Sequence, residues 1–199
     1  MRILALGDSY TIGESVSEQE RWPNQLAAGL RAADFVVAEP QIIARTGWTT
    51  ADLNAGLQQA QPQGSFDLVS LLIGVNNQYR GRGSEEYREE FRDLLQQAIA
   101  FAGADVQHVL VLSIPDWGVT PFAAGRNRAE IAQQIDLFNR INRAESSLAG
   151  VRYVDITLIS RQAADDHTLI AEDGLHPSGK MYGAWVELAL PQTMIILKN

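Results

Sequence analysis

The run Ile3-Leu4-Ala5-Leu6, followed at once by Gly7-Asp8-Ser9-Tyr10, sets the frame for the rest of the chain. Four apolar residues without a polar break suit a parallel strand covered on both faces. A serine released from the end of such a strand stands at the rim of the sheet, where ligands bind in open α/β folds. Thr11, Ile12 and Gly13 then read as a turn. A serine hydroxyl is a weak nucleophile until a base sits beside it. An active Ser9 therefore requires a base, an orienting acid and donors for a developing oxyanion from other parts of the sequence.

Apolar runs of the same kind recur at Asp67 to Ile73, Val109 to Ile114 and Val151 to Ile156. Phe35 to Ala38 and Gln41 to Ala44 are shorter runs split by Pro40, and read as one interrupted strand or two pieces. Between these runs lie segments of helical periodicity. Trp22, Leu26, Ala27 and Leu30 share a face behind Pro23, a residue suited to a first helical turn. Leu53 and Leu57 belong to a helix broken by Gln61-Pro62-Gln63-Gly64. Tyr87, Phe91, Leu94, Leu95 and Ala98 form a longer stripe that Ser84 is placed to cap. Asn127 and Glu130 have the spacing of a capping box ahead of Ile131, Ile135 and Phe138. A final helix carries Met181, Trp185 and Leu188, and Pro191 is expected to end or kink it. Strands and helices thus alternate about five times, the pattern of a parallel sheet with helices on both faces.

The chain has 199 residues, 46% of them hydrophobic, enough for one domain spanning residues 1–199. A net charge of −8 argues against a nucleic-acid partner. No cysteine is present, so neither disulfides nor thiolate metal sites can form. No apolar run is long enough to span a bilayer, and no basic and apolar leader precedes the first strand. A cytoplasmic protein without a membrane partner is the expectation.

There are three histidines. His108 sits just before a strand and reads as an edge or surface residue. His167 follows Asp165 and Asp166 in a polar stretch that a solvated loop explains. His176 differs, because Asp173 precedes it by three residues, Gly174 permits a tight bend and Pro177 fixes the exit. That spacing lets the carboxylate fold back onto Nδ1 and leaves Nε2 free to face a serine. Three groups are candidates to hold an oxyanion. They are the Ser9 N–H, the N–H of Gly47, where backbone can approach a ligand closely, and the side-chain amide of Asn76. Trp48, Asn77 and Tyr79 lie next to these positions in sequence, and Trp117 and Phe122 belong to the apolar loop from Pro115 to Gly125. These five are the candidates for substrate-binding walls.

Gly7-Asp8-Ser9-Tyr10, Gly47, Gly74-Val75-Asn76-Asn77 and Asp173-Gly174-Leu175-His176 occur in the order of the four sequence blocks of the SGNH hydrolases, or GDSL esterases/lipases. The resemblance extends over nearly the whole chain. It implies a flavodoxin-like three-layer α/β/α sandwich with a five-stranded parallel sheet. It also implies ester hydrolysis by a triad, with no metal or organic cofactor. Carried over by position, Ser9 is the nucleophile, His176 the base and Asp173 its orienter, with Ser9, Gly47 and Asn76 forming the oxyanion hole. Tyr10 stands where the family has Leu, a change expected to touch no catalytic atom. Asn77 stands where the family has Asp.

The function expected is hydrolysis of small carboxylic esters. Two other enzymatic readings are a carbohydrate O-acetylesterase and a thioesterase or lysophospholipase. A catalytically silent ligand-binding or scaffold protein is the alternative from another class. A phosphate-binding protein fits less well, since Gly7 to Gly13 lacks the Lys and spacing of a P-loop.

Overall fold

The computed structural model describes residues 1–198. Five parallel strands form one sheet: β1 (Ile3–Gly7), β2 (Gln41–Ala44), β3 (Leu68–Leu72), β4 (Val109–Leu112) and β5 (Arg152–Val154). Their spatial order is β2-β1-β3-β4-β5. The chain leaves β1 to one side for β2, then returns to the other side for β3. In such sheets a crevice opens beyond the carboxyl ends of the two strands where the direction reverses. Here those strands are β1 and β3, paired from Ile3 with Leu68 to Gly7 with Leu72. Every residue of β1, β3 and β4 is buried, as unbroken apolar runs require when helices cover both faces.

On one face α2 (Trp22–Ala32) packs on α8 (Gly179–Lys198), burying Trp22 and Trp185. On the other, α5 (Ser84–Phe101) packs against both α3 (Thr50–Ala60) and α6 (Arg128–Ala149). This is the three-layer α/β/α sandwich with a five-stranded parallel sheet. Three short helices complete it: α1 (Ser9–Ile12), α4 (Val75–Tyr79) and α7 (Thr157–Arg161). The first two follow β1 and β3 directly, so they bring their first residues to the crevice.

Several local expectations change. Residues 9–12 are a helical turn rather than a loose one, because Asp8 caps it and Gly13 closes it at φ 71°. Phe35 to Ala38 is not a strand. Only Gln41–Ala44, beyond Pro40, pairs with β1, and a proline has no N–H to give a ladder. Ser84 is the first helical residue of α5, not its cap; Gly83 holds that position without a side-chain bond. Pro191 neither ends α8 nor stops it short of Lys198. Pro191 and Glu187, whose carbonyl loses its helical partner, are both exposed, so water can take the bond.

Candidate active site

Gly7 ends β1 where backbones crowd. A Cβ there would lie 2.4 Å from the carbonyl oxygen of Leu72 and 2.2 Å from Thr11 Oγ1. Glycine thus allows α1 to start tight against β3. Asp8 caps that turn, its Oδ1 accepting from Tyr10 N at 3.0 Å, while its carbonyl accepts from Thr11 N and Ile12 N. Ser9 is the first helical residue. Among the described residues its N–H and hydroxyl have no partner, and it lines a cavity of about 160 Å³.

Asp8 is wholly buried, and burial pushes its carboxyl up to about 7, against the bonds from the Tyr10 backbone and the Asn76 amide. Between the ordinary carboxylate value of 3.8 and about 7, the folded chain holds a proton that the unfolded chain has released. Stability therefore falls as pH rises through that window, by a total on the order of a few kcal/mol. Asp8→Asn keeps a capping oxygen and is expected to flatten this decline. The check is Tm of both proteins from about pH 4 to about pH 8; a wild-type Tm that does not fall toward the upper end refutes the assignment to Asp8.

His176 and Asp173 sit in the turn before α8. Asp173 Oδ2 lies 2.6 Å from His176 Nδ1, and Oδ1 accepts from the backbone N–H of Leu175 and of His176 at 2.9 Å each. Gly174, at φ 73°, makes the bend that brings carboxylate and ring together. Burial pushes the Asp173 carboxyl up, but the bonds from His176, the two backbone amides and Ser15 outweigh it and hold it at about 2. Asp173 is thus ionised whenever the fold is intact above that pH. His176 is 7% exposed and lines the same cavity as Ser9, with Nε2 unbonded among the described residues.

Gly47 and Asn76 border this cavity too. Gly47 adopts φ 83°, and its carbonyl accepts from Arg80 Nη2 at 2.6 Å. Asn76 Nδ2 donates to the carbonyl of Trp48 at 2.9 Å and lies 3.5 Å from Asp8 Oδ2. The first bond is of ordinary length and takes one hydrogen. The second contact is at the limit of a hydrogen bond, so it does not compete strongly with a charged oxygen in the cavity. Tyr79, Trp117 and Phe122 form the apolar wall, their ring centroids 5.3–6.2 Å apart. Arg126 lies over all three rings at 5.2–5.6 Å.

Two of the expected wall residues are elsewhere. Asn77 is buried, accepts from Thr50 N at 3.0 Å and donates to Thr50 Oγ1 at 2.6 Å. Its amide is spent tying α4 to the start of α3, so it has nothing to offer a substrate. The Trp48 ring lies over Gly56 in a separate surface cleft, where a Cβ on Gly56 would come within 2.3 Å of it. Only the Trp48 carbonyl serves the site, by holding Asn76. Tyr10, expected to touch no catalytic atom, packs its ring 5.3 Å from that of His176. His108 and His167 do not line the cavity. Sequence reasoning also missed Arg80, Arg126 and Ser15, whose hydroxyl donates to Asp173 Oδ2 at 2.7 Å across 158 residues of chain. No local pattern links residues so distant. Among the described residues no group of three or more His, Cys, Asp or Glu is placed to hold a metal ion, and no helix is long and apolar enough to cross a membrane.

Residues 5–184 match the GDSL-like Lipase/Acylhydrolase family. No curated protein matches the sequence. Solved structures of similar fold include TesA, at 20% identity with a TM-score of 0.76, covering 99% of this chain and 100% of that one. The psychrotrophic esterase EstA from Pseudoalteromonas sp., inhibited by monoethylphosphonate, has 18% identity and a TM-score of 0.70, covering 100% of this chain and 99% of its own. An acetylxylan esterase from Geobacillus stearothermophilus has 16% identity and a TM-score of 0.69, covering 100% and 94%. At such identities the structural likeness speaks for the fold, and the family match over most of the chain carries the assignment. The chain belongs to the GDSL-like lipase/acylhydrolase family and is a carboxylic ester hydrolase.

Proposed function

We propose that the protein hydrolyses small carboxylic esters through Ser9, His176 and Asp173. The observation that carries this reading is the convergence of two chain-distant loops on one cavity. An unbonded serine at the end of β1 and a histidine paired at 2.6 Å with an ionised aspartate line the same 160 Å³ space. His176 Nε2 takes the Ser9 proton as Oγ attacks the ester carbonyl carbon. The Ser9 and Gly47 N–H groups and the Asn76 amide receive the oxyanion. His176 then passes the proton to the departing alkoxide, and the acyl group stays on Ser9. Water, deprotonated by the same histidine, attacks the acyl-enzyme and releases the acid. Asp173 keeps Nδ1 protonated and favours the transient imidazolium. No step calls for a metal or organic cofactor.

Covalent labelling by a fluorophosphonate tests this directly. Rapid modification of Ser9, absent in Ser9→Ala, supports an activated nucleophile. An unlabelled wild-type protein overturns Ser9 as the nucleophile.

The cavity also bears on the substrate. A space of about 160 Å³ bordered by Tyr79, Trp117 and Phe122 suits a short substituent. Acetyl to butyryl esters are expected to be preferred. Each further methylene that fits adds ~0.8 kcal/mol of burial, so an open groove would reward length instead. The measurement is kcat/KM for p-nitrophenyl esters from acetate to decanoate, and a steady rise to decanoate contradicts the small-site reading. A carbohydrate O-acetylesterase is a second reading. It is favoured by Tyr79 and Phe122, which expose 44% and 43% of their surface beside the cavity and offer flat faces to a bulky alcohol.

A further inference from the structure

We infer that the tripeptide Gly13-Glu14-Ser15 is a positioning brace that holds the oxyanion loop and the acid of the triad in register with the nucleophile. The inference rests on the catalytic reading above and extends it to residues outside the cavity.

The brace begins on the nucleophile itself. The backbone N–H groups of Gly13 and Glu14 both donate to the Ser9 carbonyl at 3.0 Å. The Glu14 carboxylate next accepts from Thr46 Oγ1, and Thr46 directly precedes Gly47. Ser15 then donates through Oγ to Asp173 Oδ2 at 2.7 Å, the same oxygen that pairs with His176 Nδ1. Within three residues the chain therefore grips three loops that contribute to the site. The backbone supports the same reading. Ser15 sits at φ 64°, a left-handed conformation that serine rarely adopts and glycine adopts freely. Asp34, Gln61 and Ala104 share that sign of φ, and like Ser15, which follows α1, each lies in the turn after a helix, here α2, α3 or α5. Ser15 is the one whose side chain reaches the candidate site. A turn needing only that φ would be served better by glycine, so the hydroxyl is the feature with a role to explain. The Leu175 and His176 amides hold Asp173 Oδ1, so Ser15 and His176 Nδ1 together set Oδ2, and without Ser15 the carboxylate plane can rotate about that anchor. Thr46, without Glu14, no longer fixes the peptide that presents the Gly47 N–H.

The test uses p-nitrophenyl acetate hydrolysis. Ser15→Gly keeps the backbone conformation and removes only the hydroxyl. It is expected to lower kcat about tenfold, the scale of one hydrogen bond to a charged group. KM should stay within about twofold and Tm should not fall, since glycine relieves the φ. In an Asp173→Asn background the same change should have little further effect, because Ser15 acts through Asp173. Glu14→Ala should lower kcat comparably, and Glu14→Gln, which keeps an acceptor for Thr46, should recover most of the loss. Wild-type kcat in Ser15→Gly overturns the brace, as does a loss carried by KM or Tm, or one that is fully additive with Asp173→Asn. Full activity in Asp173→Asn alone is a different outcome, since it removes the catalytic reading on which the brace depends.

Discussion

Ser9→Ala and His176→Ala are each expected to remove ester turnover by a factor on the order of 10⁴–10⁶ while the fold persists. The physical case is that each supplies a function the other cannot replace. Without Ser9 there is no acyl acceptor, and without His176 the hydroxyl keeps its proton at any pH where the protein is folded. Ser9→Ala removes no bond, and His176→Ala removes one, from Nδ1 to the part-exposed Asp173. Among the described residues Ser9 Oγ has no partner, and Asp173 keeps the donors Ser15, Leu175 N and the backbone N–H at position 176. Tm should therefore change little. Because the members act as a unit, the double variant should be scarcely worse than either single one. Asp173→Asn should retain the geometry but offer Nδ1 a wrong partner, at a cost on the order of 10⁴. Turnover of p-nitrophenyl acetate under saturating conditions is the measurement. Normal activity in His176→Ala rejects the base assignment, and a dead His108→Ala or His167→Ala would relocate it.

Much of the candidate site's geometry was legible because it is written in short local patterns. Ser9 follows an unbroken apolar strand, and Asp173 reaches His176 across one turn that Gly174 makes possible. Local spacing suffices where a bond closes within three residues. It fails where partners are set by packing. Asn77 and Asn76 are neighbours in sequence, yet the short helix α4 turns one amide to the cavity and the other to Thr50. Only the three-dimensional position of α3 determines which goes where. The Trp48 ring was misplaced for the same reason, since Gly56 in the following helix leaves a notch that the indole fills. Ser15 was missed because a positive φ on a serine leaves no trace in the residue string. The fold itself was easier to read than its edges. Strongly apolar β1, β3 and β4 were plain, whereas Phe35 to Ala38 has the composition of a strand, bonds Met1 ahead of β1 and forms no strand of the sheet. Composition fails there on burial as well as on pairing, since Val36 is 87% exposed and only Val37 of the four is buried.

Asn76→Ala is expected to lower kcat by on the order of 10²–10³, about 2.7–4 kcal/mol, the loss associated with one oxyanion donor. KM should move little, because the charge the amide meets develops only in the transition state. The structure adds a reason for the larger end of that range. Asn76 Nδ2 also holds the Trp48 carbonyl at 2.9 Å. Its removal releases the segment next to Gly47, so a second donor loses its anchor at the same time. Arg80, which binds the Gly47 carbonyl at 2.6 Å, limits that movement from the other side. Asn77→Ala provides the contrast, although the two residues are adjacent and chemically identical. It strands the buried Thr50 N–H, an uncompensated loss of about 1–3 kcal/mol, while the Thr50 hydroxyl keeps its bond to the Glu90 carboxylate. The damage should therefore appear in Tm more than in kcat. Paired measurements of kcat and Tm on the two variants separate the roles. A kcat loss larger in Asn77→Ala than in Asn76→Ala, at temperatures where both are folded, would show that the oxyanion is held by the wrong asparagine in this account.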